Sequence, residues 1–148
     1  MALLSDAEFA QVRDLLADMA GPVVLRFYTQ TFDCETCAET RQVLDVLARA
    51  SERITIDERN LVLEREAASA AGIDRAPTIL VLGGGEPGTE LRDYGVRFVG
   101  APFGYEFTAL VDAILLVSRG QTELSDASRL LLASVTSPMT VQVFTTPT

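Results

Sequence analysis

A chain of 148 residues with 48% hydrophobic and 22% charged residues has the length and composition of one globular domain, not of a disordered segment. Twelve basic residues, all Arg, against 21 acidic ones leave a net charge of −9, which argues against nucleic acid or an anionic membrane as partner. With no His, Ser-His-Asp and Cys-His catalysis and His-ligated zinc or haem are excluded, and the densest aliphatic run, Ala113 to Val117, falls far short of the ~20 residues of a membrane span. Met1 to Phe9 has neither the basic stretch nor the apolar run of a signal peptide, so the expected location is cytoplasmic.

Ser5-Asp6-Ala7-Glu8 reads as a capping box, with Leu4 and Phe9 placed as a hydrophobic staple. Phe9, Val12, Leu15, Leu16 and Met19 recur at helical spacing until Gly21-Pro22 stops the helix. Val23 to Thr29 is an apolar, β-rich run, the pattern of a buried strand. After Cys34 a second helix is predicted, with Val43, Leu44, Val46 and Leu47 on one face. Arg53 to Glu58 alternates as a strand with Ile54 and Ile56 inward, and Leu61 to Ala71 reads as a helix ended by Gly72. Thr78 to Leu82 is the third strand, Gly83 to Gly88 a turn, and Arg92 to Val99 the fourth strand. Tyr105 to Ser118 follows as a buried helix closed by Gly120, built on Phe107, Leu110, Val111, Ile114, Leu115 and Val117. The order α-β-α-β-α-β-β-α implies an α/β fold, a mixed four-stranded sheet with helices on both faces, over residues 1–120.

Residues 121–148 stand outside that unit. Ser125-Asp126-Ala127 repeats Ser5-Asp6-Ala7 and opens a helical pattern with Leu130, Leu131 and Leu132; Met139 to Thr145 again reads as a strand. Phe144 to Thr148 matches Phe27 to Thr31 at three positions of five, in the same order and at a similar offset. The expectation is the helix and strand that begin a second, truncated unit of the same kind. A strand without its own sheet presents an unpaired edge, so it is expected to pack on the first unit's sheet or to pair between chains as a homodimer.

The most informative feature is Cys34-Glu35-Thr36-Cys37, the only two cysteines of the chain, at a strand-to-helix junction. This placement resembles that of thioredoxins and glutaredoxins. Gly72-Ile73-Asp74-Arg75-Ala76-Pro77-Thr78 is similar to the thioredoxin segment that ends in a cis-proline, and Val99-Gly100-Ala101 resembles the end of its last strand. The tandem protein disulfide oxidoreductases, glutaredoxin-like proteins of two such units, resemble the chain further, at Gly95-Val96-Arg97-Phe98, Gly104-Tyr105-Glu106-Phe107, Val117-Ser118-Arg119-Gly120 and Val143 to Thr148. The N-terminal module of a peroxiredoxin reductase has a similar two-unit plan.

The resemblance implies a thiol–disulfide oxidoreductase acting on protein thiols and disulfides. It needs no metal or cofactor beyond the Cys34–Cys37 disulfide and takes electrons from a separate reductase or from glutathione. A helix N-terminus lowers a thiol's pKa, so Cys34, set at the helix start, is the expected nucleophile; Cys37, one turn in and shielded, is the expected resolving thiol. Half of a zinc or iron–sulfur site is the other use of such a pair and needs a second chain. Asp33 and Glu35 flank Cys34, and nearby carboxylates disfavour another negative charge, unless both point into screened solvent. The thiolate is therefore expected to be less stabilised than in a glutaredoxin and the disulfide harder to reduce. Ala76 would present its backbone to an extended substrate beside Pro77, where the alternative is a trans proline that merely begins a strand. Gly100 would let a loop approach the same groove, or serve as a plain turn glycine. The second functional reading is a mainly non-catalytic docking or electron-relay unit of a tandem protein.

Two features are discounted. Gly83, Gly85 and Gly88 match G-x-G-x-x-G, but Pro87 interrupts the segment and no helix follows, which favours a hairpin loop. Arg26 within the first strand is either a charge buried near the cysteines or a side chain that snorkels out of the sheet.

Overall fold

Five helices and four strands make up the fold in a computed structural model that describes residues 3–146. They are α1 (Asp6–Leu16), β1 (Val23–Thr29), α2 (Cys37–Ala50), β2 (Ile54–Asn60), α3 (Arg65–Ala70), β3 (Thr78–Gly83), β4 (Arg92–Val99), α4 (Tyr105–Arg119) and α5 (Asp126–Ala133). The sheet runs β2-β1-β3-β4, with β1 parallel to β2 and antiparallel to β3, and β3 antiparallel to β4. Among the described residues no helix is long and apolar enough to cross a membrane.

Side-chain alternation along β1 and β3 divides the core in two. Val23, Leu25, Phe27, Ile79 and Val81 face Val12 and Leu16 of α1, Leu44 and Leu47 of α2, and Leu110, Val111 and Ile114 of α4. On the other face Val24, Tyr28, Leu80 and Leu82 are covered by Ala68 of α3 and Ile73. β1 and β3 are central and buried, whereas β4 lies at an edge and is largely exposed.

Local signals fix most boundaries. Ser5 caps α1 through a complete capping box with Glu8, and Leu4 and Phe9 both pack against the core, though the helix ends at Leu16, ahead of Gly21. Gly72, at φ 76°, closes α3: its N–H donates to the Ser69 carbonyl and the Ile73 N–H to the Ala68 carbonyl, a Schellman motif. This helix is shorter than the pattern from Leu61 implies. The Asn60 side-chain oxygen accepts from the N–H groups of Val62 and Leu63, both at 3.0 Å, and holds residues 61–64 as a turn. Gly83, Gly84, Gly85 and Gly88 end β3 and lead through a loop into β4, so no phosphate-binding helix follows them.

The C-terminal segment departs from the sequence reading. α5 forms, capped by Ser125, but buries none of its residues. The strand expected over Met139 to Thr145 does not form: these residues are exposed and unpaired, and the sheet has four strands without them. A hydrogen bond from the Thr145 hydroxyl to the Glu106 carboxylate ties the segment to α4. Alternating apolar residues make a strand only when a neighbour takes up the backbone hydrogen bonds, and both sheet edges leave this segment unpaired. Thr148 and Pro147, in the matched pentapeptide, lie outside the described residues.

Candidate active site

β1 delivers the chain to the cysteines. After Thr29 the loop is held by Gln30, whose side-chain amide donates to the carbonyls of Phe32 (2.8 Å) and Asp33 (3.2 Å). Asp33 takes φ 55°, the left-handed region that aspartate tolerates better than most residues, and turns the chain into Cys34. Cys34 and Cys37 form a disulfide with Cα atoms 5.5 Å apart. Cys34 is half-buried, whereas Cys37 is 5% exposed. The two thiols take each other as partners, and among the described residues no cluster of three or more Cys, Asp or Glu side chains is placed to hold a metal.

The helix starts later than the sequence reading has it. α2 begins at Cys37, so Cys37 is its first residue, not one turn in, and Cys34 lies in the turn ahead of it. The physical reason is the bend at Asp33 followed by the turn at Glu35 and Thr36, which leaves only Cys37 onward with helical hydrogen bonding. The disulfide still puts both sulfurs at the positive end of the helix. Thr36 lends no side-chain cap, so the first-turn N–H groups are not taken by a side chain. Thr40, fully buried, donates from its hydroxyl to the Thr36 carbonyl at 2.7 Å and braces this junction from behind. Asp33 and Glu35 are both exposed.

Pro77 enters from the neighbouring strand. The register pairs Tyr28 with Thr78 and Thr78 with Val99, which sets Pro77 and Gly100 at the end of the sheet where β1 leads to the cysteines. The Ala76–Pro77 bond is cis, Pro77 is buried, and the Gly100 N–H donates to the Pro77 carbonyl at 2.9 Å. Gly100 is at φ 95°, and a Cβ there would meet nothing within 4 Å, so the position needs glycine for its backbone conformation and not for close approach. Thr78, buried, donates to the Arg75 carbonyl at 2.7 Å and closes the turn. The N–H and C=O of Ala76 have no protein partner among the described residues.

Arg26 is neither buried alone nor simply snorkelled. Its Nε donates to Asp57 at 2.8 Å across the β1–β2 pair, and Arg59 grips the same carboxylate. Burial pushes the Asp57 carboxyl up, but hydrogen bonds from Arg59 and Arg26 outweigh it and hold the group below the ordinary aspartate value. Gln30 and Thr40 were not singled out from sequence; a Thr four residues into a helix is the faint signal for the second, and nothing marks the first.

No protein-family model matches the chain. Among solved structures, a protein disulfide oxidoreductase from Aeropyrum pernix aligns with a TM-score of 0.74 at 25% identity, covering 88% of this chain and 54% of its own. The alkylhydroperoxide reductase AhpF of Enterococcus faecalis aligns at 0.75 with 20% identity, over 90% of this chain and 61% of that one. The chain belongs to the thioredoxin-fold superfamily. This thioredoxin-fold chain is also 32% identical over 109 residues to a protein named NADH dehydrogenase from Ferdinandcohnia aciditolerans, which is 74% of this chain and 17% of that protein. It thus spans about half the length of the first solved structure and a small part of the curated relative.

Proposed function

We propose that this thioredoxin-fold chain is a thiol–disulfide oxidoreductase that exchanges disulfides with protein substrates in the cytoplasm. The observation that carries the reading is the disulfide between an accessible Cys34 and a buried Cys37 at the start of α2. In the reduced protein the Cys34 thiolate attacks a substrate disulfide. A bond forms from Cys34 Sγ to one substrate sulfur, the substrate S–S bond breaks, and the departing sulfur takes up a proton. Cys37, deprotonated, then attacks Cys34 Sγ, closes the internal disulfide and releases the second substrate thiol. The substrate gains two electrons and the protein loses two. A separate reductase or a thiol such as glutathione returns them, and no cofactor beyond the cysteines takes part. Ala76, with free backbone groups beside Pro77 and Gly100, supports docking of an extended substrate segment.

Reduction of insulin by dithiothreitol, with and without the chain, tests this. Cys34→Ser is expected to abolish the acceleration, and Cys37→Ser to accumulate a mixed disulfide through Cys34. Turnover no faster than dithiothreitol alone would overturn the reading. It would favour instead a docking or electron-relay unit of a longer protein, such as the N-terminal module of a peroxiredoxin reductase, a role that draws support from the 17% share of the NADH dehydrogenase.

Asp33 and Glu35 are proposed to set the reactivity of Cys34, through charge that an exposed position screens only in part. Glu35→Gln is expected to let the Cys34 thiol titrate at lower pH and to make the disulfide easier to reduce. A titration curve superimposable on that of the unaltered protein would sink this.

A further inference from the structure

Two loops leave the cysteine end of the sheet together, joined by a 2.8 Å bond from the Leu61 N–H to the Thr29 carbonyl. Each holds an apolar side chain out in water. In the first, Gln30 ties down the carbonyls of Phe32 and Asp33, and the Phe32 ring is 81% exposed. In the second, Asn60 anchors the N–H groups of Val62 and Leu63, while Glu64 accepts from the Asn60 N–H and is gripped by Arg59. Leu63 is 83% exposed. One exposed apolar residue is ordinary; two on clamped, adjoining loops at the cysteine end of the sheet offer a contact surface.

The unpaired charge around it is mostly negative. Asp33, Glu35 and Glu39 are exposed and carry no ion pair among the described residues. Most nearby cations are occupied: Arg41 by Asp45 and Glu58, Arg59 by Asp57 and Glu64, Arg75 by Asp74. Arg65, exposed at the start of α3, carries no ion pair among the described residues and is the one cation on this face left unengaged.

We propose that this face selects polypeptide disulfides flanked by a basic and an apolar residue, the first meeting Asp33, Glu35 and Glu39, the second resting on Phe32 and Leu63. The proposal rests on the oxidoreductase reading and names the substrate class of the same site. Opposite charge steers association and raises its rate by about 10-fold or more at low salt, while like charge slows it.

The test mixes the reduced full chain with three probes at low ionic strength: neutral bis(2-hydroxyethyl) disulfide and two peptides, each closed by one disulfide. One peptide carries arginine and leucine beside its cysteines, the other glutamate and serine, and each rate is divided by that of dithiothreitol with the same probe. The arginine–leucine peptide is expected to react about 10-fold faster or more. That ratio should shrink with added salt and approach one in the triple variant Asp33→Asn, Glu35→Gln, Glu39→Gln. Phe32→Ser with Leu63→Ser should reduce the part that survives high salt. Equal rates for the two peptides, or a ratio unchanged in the triple variant, overturn the selectivity alone. Failure to reduce even the neutral probe overturns the oxidoreductase reading beneath it.

Discussion

α1 and α5 open on the same three residues, Ser-Asp-Ala, and both are capped by that serine, whose hydroxyl accepts from an N–H three residues on. There the likeness stops. In α1 the third helical position is Glu8, which returns a bond to the Ser5 N–H, and Val12 and Leu16 are buried against the sheet. In α5 that position is Ser128, which has no carboxylate to send back, and Leu130 and Leu131 are 76% and 75% exposed. Capping and spacing are enough to shape a helix; they do not give it a surface to pack on. The stability of this chain therefore belongs to the unit that ends with α4, and α5 draws on it very little.

The difference is open to direct attack. The largest expected effect is a matched pair of truncations. Leu16→Ala removes a side chain that is 1% exposed and should cost about 2–5 kcal/mol in chemical denaturation. Leu131→Ala should change the same measurement by less than about 0.5 kcal/mol. Comparable losses at both sites would mean that α5 packs on the unit after all.

A smaller effect separates the two caps by pH. The backbone N–H of Ser5, and then its hydroxyl, hold the Glu8 carboxyl below its ordinary value. A carboxyl depressed in the folded state stabilises it above the unfolded pKa, 4.5 for this group, and that contribution disappears as pH falls through the lower folded value. Amide exchange at the start of α1 should therefore quicken below about pH 4.5 beyond its intrinsic pH dependence, whereas the start of α5 should follow the intrinsic curve. Parallel behaviour at both helix starts would refute the distinction.

The same contrast shows where the sequence was legible. β1 is found at its predicted bounds because six of its seven residues are apolar or β-favouring and they lie between a Gly-Pro stop and a polar loop. The capping box and the glycine after α3 are written in the local letters. The cysteine pair and its strand-to-helix setting were legible, but the start of α2 was misplaced because the bend at Asp33 leaves no mark in composition. Leu61 to Glu64 carry helical spacing but form a turn ahead of α3, its N–H groups at Val62 and Leu63 taken by the Asn60 side chain. Met139, Val141 and Val143 alternate as a strand should and remain unpaired, since pairing belongs to a neighbour and not to the segment. The grip of Asp57 on Arg26 needed the register of β1 against β2, which no local pattern supplies.

The corner at Pro77 has one more consequence. Proline lacks an N–H, and its carbonyl already accepts from Gly100, so on the proposed docking a guest backbone crossing this corner would have Ala76 to grip. A visiting chain that slid by one position would forfeit both bonds together. On the proposed docking, recognition there would be one residue deep, indifferent to the visitor's own letters, and would serve to hold its sulfur in line.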